Sequence, residues 1–132
     1  MFSTSQLIAH LVGDYFLQTS HMARNKHDSF AIAALHGVCY TVPFLFLTQN
    51  PLALALIALT HTLIDHFRLA RYWIYLRDQF CPYHERYPFK FASMTGFHQE
   101  GATPAYLGFY IYVIVDNTMH ILTNAVILYY LG

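Results

Sequence analysis

The feature that most restricts this chain is a pairing of histidine with aspartate, one helical turn apart, inside segments apolar enough to enter a bilayer. It appears in "AHLVGDYFLQTS" at positions 9–20, in "THTLIDHF" at 60–67 and, with the order reversed, in "IVDNTMHIL" at 114–122. An ionisable side chain in such a segment is expensive, so its repetition restricts both the fold and the chemistry.

The composition agrees with a membrane protein. Hydrophobic residues make up 56% of the 132 positions and charged residues only 11%, where soluble domains carry about a quarter. Aromatic residues reach 17%, and the mean hydropathy is +0.34. The length predicts one domain, residues 1–132. A net charge of zero removes the electrostatic case for a nucleic-acid partner. Cys39 and Cys81 lie in dissimilar settings, which argues against a disulfide framework or a zinc ribbon. "MFSTSQ" lacks the basic stretch that opens a signal peptide, so the first apolar segment is expected to be retained.

Four segments are long enough in apolar character to be expected spans: about 2–19, 29–48, 51–76 and 104–131. The prediction is an all-α transmembrane four-helix bundle, with an aromatic-rich cytoplasmic loop between the third and fourth helices. Pro51 and Pro104 suit first helical turns, and Pro43 is tolerable in a membrane helix. Tyr72, Trp73 and Tyr75 match an interfacial aromatic belt. Arg24 and Lys26 fall between the first two spans. Arg68, Arg71, Arg77, Arg86 and Lys90 fall at the end of the third or in the long loop. All then lie on one side, which the positive-inside rule makes cytoplasmic. A bacterial inner-membrane protein with both termini on the periplasmic side is expected.

Seven ionisable groups remain within the spans: His10, Asp14, His36, His61, Asp65, Asp116 and His120. Spacing of four residues puts the members of each pair on one helix face. The first and third spans run inward and read His-x-x-x-Asp, whereas the fourth runs outward and reads Asp-x-x-x-His. Reversing direction and order together sets all three aspartates nearer the cytoplasm, with the histidines one turn deeper. His36 enters at a comparable depth.

Energetics favour a metal. Three aspartates at helix centres cost on the order of 8–10 kcal/mol. Interhelical hydrogen bonds return about 1 kcal/mol each, whereas a structural zinc returns roughly 10–16 kcal/mol. Seven nitrogen and oxygen ligands suit two divalent ions, Zn, Mn or Fe, sharing a carboxylate. Metal-bound hydroxide is then the expected nucleophile, with Asp14, Asp65 and Asp116 as catalytic carboxylates and a lipid or lipid-linked phosphoester as substrate. Gln18, Asn117 and Asn124 are candidates for orienting ligands or substrate.

Other readings stay open. The pairs could be polar glue between helices, and a bis-histidine haem would leave three aspartates unexplained. A carrier of metal ions or protons would use the same cluster. A phage membrane or host-interaction protein would use a metal only as a clamp. Completion of the bundle by a second copy or another membrane subunit is open too. His66 is expected at the interface, and His21, His27, His84 and His98 in solvated loops. Gly13 and Gly37 are expected to permit close helix approach.

With these residues in view, the chain resembles the DUF3307 proteins, integral membrane proteins encoded by phages and prophages. "HLVGDYFLQTSHMARNK", "ALHG", "THTLIDHFRLARY", "TGF" and "VIVDNTMHILTN" carry the resemblance, in order and over most of the chain. It implies membrane residence and a phage or prophage origin, and names no reaction. A looser likeness to predicted membrane-bound metal-dependent hydrolases, which also scatter His and Asp through short helices, is an analogy of pattern.

Overall fold

The computed structural model describes residues 3–80 and 105–132, and every regular element among them is helical. In chain order these are α1 (Thr4–Leu11), continued by a π-helical turn over Val12–Phe16, then α2 (Ser20–Asn25). Next come α3 (Phe30–Thr41), continued by a 3-10 stretch over Val42–Phe46, and α4 (Pro51–Phe67). Last are α5 (Leu69–Asp78) and α6 (Ala105–Leu131). The expected cytoplasmic loop falls largely outside the described residues, as do Cys81, His84 and His98. Cys39 is a free, half-buried thiol.

Local chemistry sets the helix starts. Ser3, Thr19 and Ser29 side chains each accept a hydrogen bond from a backbone N–H three residues on, and the Asn50 side-chain oxygen Oδ1 accepts from Leu52 N–H. The switch at the end of α3 has a plain cause. Pro43 has no N–H to give the Cys39 carbonyl, and Val42 N–H bonds to that carbonyl in the tighter 3-10 pattern.

The chain divides into two compact units, Met1–Phe67 with Thr118–Gly132, and Arg68–Asn117. In the first, α3 packs against α4, and α1 with its π turn lies against α3 and its 3-10 extension. Ala9, Tyr40, Phe44, Ala53, Ile57 and Ile127 form the apolar core. Two glycines set the spacing. A Cβ on Gly37 would stand 2.2 Å from Thr62 Oγ1 and 2.8 Å from the Ala58 carbonyl, and one on Gly13 would stand 2.7 Å from the Tyr40 carbonyl. Both are sites of close approach, as the sequence implied. Gln6 donates to the Ile121 carbonyl and Asn50 to that of Leu131, tying the end of α6 to this unit.

In the second unit α5 buries Ala70 and Ile74, while Arg77 pairs with Asp78 and Arg71 lies over the Tyr72 ring. Tyr72 and Trp73 are exposed and Tyr75 is half-buried.

The helices depart from the expected spans in instructive ways. The first segment is a short helix with a π turn, ending at Phe16, and α2 follows it where a loop was expected. The third segment is interrupted at Arg68, which adopts left-handed backbone (φ 51°, ψ 49°), a conformation that a residue with a Cβ rarely holds without cost. One described helix, Tyr106–Leu131, is long and apolar enough by itself to cross a membrane; α4 and α5 satisfy that test only as a broken pair.

Candidate metal centre

Three elements deliver four ionisable side chains of the first unit to one buried place. Asp14 comes from the π turn, His36 from α3, and His61 and Asp65 from successive turns of α4. All four are buried, and one ligand atom from each lies within 4.8 Å of every other. His36 Nε2 is 3.2 Å from Asp14 Oδ1 and 3.5 Å from Asp65 Oδ2. His61 Nε2 is 3.8 Å from Asp14 Oδ1 and 3.1 Å from Asp65 Oδ2. The two Nε2 atoms are 3.0 Å apart.

These are five of the six edges of a tetrahedron, the sixth running between the two carboxylate oxygens. Around an ion with bonds of 2.0–2.1 Å, tetrahedral ligand atoms stand about 3.3–3.4 Å from one another. The observed edges, 3.0–3.8 Å, bracket that value. Two imidazole nitrogens and two carboxylate oxygens also form a donor set suited to Zn, Mn or Fe. The four residues could therefore hold one divalent ion. Nδ1 of both His36 and His61 has no hydrogen-bond partner, so no bond on that side of either ring fixes the tautomer.

The Asp65 carboxylate faces two ways. Its Oδ2 belongs to the tetrahedron, while Oδ1 is 3.6 Å from His120 Nε2. His120 is buried and lies against His61, with ring centroids 4.2 Å apart.

Beyond the four lies a second polar layer. His10 Nδ1 is 2.8 Å from the Tyr40 hydroxyl, which also accepts a hydrogen bond from Asn124 Nδ2. The Tyr40 ring stacks on His61 with centroids 3.7 Å apart. His10 and Asp14, expected to act as a pair, thus serve adjoining layers. The π turn that opens after Leu11 widens the helix just where Asp14 lies, so the regular four-residue stacking does not carry across it. Gln18 Nε2 lies 2.7 Å from His36 Nε2, the same nitrogen that faces the two carboxylates. Asn117 donates to the Val113 carbonyl of its own helix. Asp116 is half-buried one turn before His120, on the part of α6 that belongs to the second unit.

Sequence reasoning missed two residues. Tyr40 lies four residues beyond His36, a spacing that could have revealed it. Lys26 gives no such signal: the sequence places it only among the basic residues of one side, whereas in the structure it is buried, its ammonium donates to Asp65 Oδ2 at 2.8 Å and lies 3.9 Å from Asp14 Oδ1. His27, expected in solvent, is half-buried and its Nδ1–H donates to the Asp65 carbonyl. His66 Nδ1–H donates to the Lys26 carbonyl. His21 is exposed, as expected.

The sequence profile of a family described as "Protein of unknown function (DUF3307)" matches residues 2–131. No curated protein and no solved structure matches the chain.

Proposed function

The chain belongs to the DUF3307 family, whose description assigns no activity, and on that premise we propose that it is a membrane-embedded, metal-dependent hydrolase. Its substrate is a lipid or lipid-linked phosphoester at the cytoplasmic leaflet. The observation that carries the metal is the buried tetrahedron of Asp14 Oδ1, His36 Nε2, His61 Nε2 and Asp65 Oδ2. A second ion would use Asp65 Oδ1 and His120, with His10 from the adjoining layer. A bound divalent ion supplies a Lewis acid and lowers the pKa of water into the physiological range. Asp14 and Asp65 would neutralise the ion's charge and His36 and His61 would fix its place, the ion taking the His36 Nε2 contact that Gln18 makes in its absence.

The distribution of polarity supports membrane residence and the four-helix transmembrane bundle. Exposed large apolar side chains such as Ile8, Phe16, Leu35, Val38, Phe46, Leu52 and Ile114 cover the described helices, while histidines and carboxylates lie inside. Such an apolar exterior is what a lipid-facing surface requires. Only 22% of the apolar window in Tyr106–Leu131 is buried, which is unlike the core helix of a water-soluble domain. In this reading α1 and α3, each shorter than a full span, draw the bilayer thin or are completed by another copy or subunit.

A carrier of protons or metal ions is the second reading, and one observation favours it. The His10–Tyr40–Asn124 layer extends the polar interior beyond the four ligands, as a transfer path needs. Two assays separate the readings. Elemental analysis of purified protein beside Asp65→Ala is expected to give stoichiometric divalent metal in the first and little in the second; metal-free wild type ends the metal reading. Turnover of a chromogenic phosphoester then favours the hydrolase, and ion flux into proteoliposomes the carrier.

A further inference from the structure

Lys26 is the one buried lysine or arginine among the described residues, and it donates to the same Asp65 oxygen that forms two edges of the tetrahedron. Its place is not incidental. The backbone at 26–27 is stitched to the end of α4 by two further bonds, His27 Nδ1–H to the Asp65 carbonyl at 2.9 Å and His66 Nδ1–H to the Lys26 carbonyl at 3.1 Å. Three bonds therefore join two adjacent-residue pairs, and together they deliver one ammonium to one carboxylate.

We propose that Lys26 is an internal counter-cation that exchanges with the divalent ion at Asp65 Oδ2, closing the site when metal is absent and yielding it when metal binds. This rests on the metal reading above and adds to it how the site is regulated. Two cations cannot share that oxygen comfortably. An ion bonded to Oδ2 stands about 2 Å from it, which would leave an ammonium on the same oxygen only a few ångströms from a divalent charge. Repulsion at that range is large even with strong screening. The four-carbon stem of lysine lets the ammonium swing away, while the two backbone-directed bonds keep the turn in place. Charge balance fits exchange. Asp14 and Asp65 with neutral imidazoles carry two negative charges, which one divalent ion neutralises and one ammonium leaves half-balanced. Lys26 thereby holds the carboxylates together without metal, at a strength that a divalent ion exceeds.

The test is zinc binding to the detergent-solubilised full chain, by competition with a chromogenic chelator, for wild type, Lys26→Met, Lys26→Arg and Asp65→Asn. Exchange predicts that Lys26→Met binds zinc at least tenfold more tightly than wild type, that Lys26→Arg stays within a few-fold of it, and that Asp65→Asn loses binding. Zinc should also raise the melting temperature of Lys26→Met by more than that of wild type. Folding of Lys26→Met only when zinc is present would support exchange as directly, since the ion then replaces the ammonium. Zinc binding by Lys26→Met equal to or weaker than a wild type that does bind overturns the exchange and leaves the metal site standing. Failure of Lys26→Met to fold even with zinc, while Lys26→Arg folds, also overturns it, making the positive charge a fixed structural part. Absence of zinc from wild type and Lys26→Met alike overturns the metal reading, and the exchange with it.

Discussion

His36 and His61 meet through their Nε2 atoms at 3.0 Å, with Asp14 Oδ1 and Asp65 Oδ2 closing around the same point. One ring N–H can donate to the bare nitrogen of the other, which pairs the two imidazoles and still leaves two carboxylate oxygens facing the same point. A cation could instead accept both lone pairs together with the two carboxylate oxygens. That is the physical basis for the metal predictions.

Metal content should depend on all four side chains. His36→Ala, His61→Ala, Asp14→Asn and Asp65→Asn should each reduce bound metal by tenfold or more at limiting free ion. Elemental analysis of each variant after equilibration with the same limiting metal checks this.

Enlarging Gly37 should loosen the α3–α4 contact. A Cβ there meets Thr62 Oγ1 and the Ala58 carbonyl, so Gly37→Ala should destabilise by about 1–3 kcal/mol through overpacking. Gly37→Ala combined with Thr62→Ala should recover part of that loss, because the nearest obstructing atom is gone while the Ala58 carbonyl remains. Thermal melts of the single and double variants in detergent measure the coupling.

Removing one oxygen from Tyr40 isolates the second layer from the first. Tyr40→Phe keeps the ring on His61 but takes a partner from both His10 and Asn124. A loss of about 1–3 kcal/mol is expected from leaving buried polar groups unsatisfied, with zinc stoichiometry unchanged. Equal loss of metal would show that the layers act as one site.

Membrane residence makes its own prediction at surface positions. Val38 is 59% exposed on α3. In water Val38→Lys would fall within about 0.5 kcal/mol of neutral. Facing lipid, it should cost about 2.5–3.5 kcal/mol and lower the amount of inserted protein. Comparing Val38→Lys with Arg24→Ala in membrane fractions tests this, and a periplasm-active reporter fused after Gly132 tests the orientation.

The sequence itself determined the helical class and pointed to His10, Asp14, His36, His61, Asp65 and His120, all of them buried. Periodicity is local: a fixed rise and rotation per residue put His61 and Asp65 on one face whatever α4 packs against. Close approach at Gly13 and Gly37 was legible for a similar reason, since only glycine admits it there. Tertiary structure alone decided the rest. A π turn separated His10 from Asp14, and left-handed backbone at Arg68 divided the expected third span. The fold also brought Lys26 and Tyr40 to carboxylate and imidazole partners far along the chain. No local spacing encodes such meetings, because which side chains share a buried volume depends on how separate helices pack, and only the assembled fold settles that.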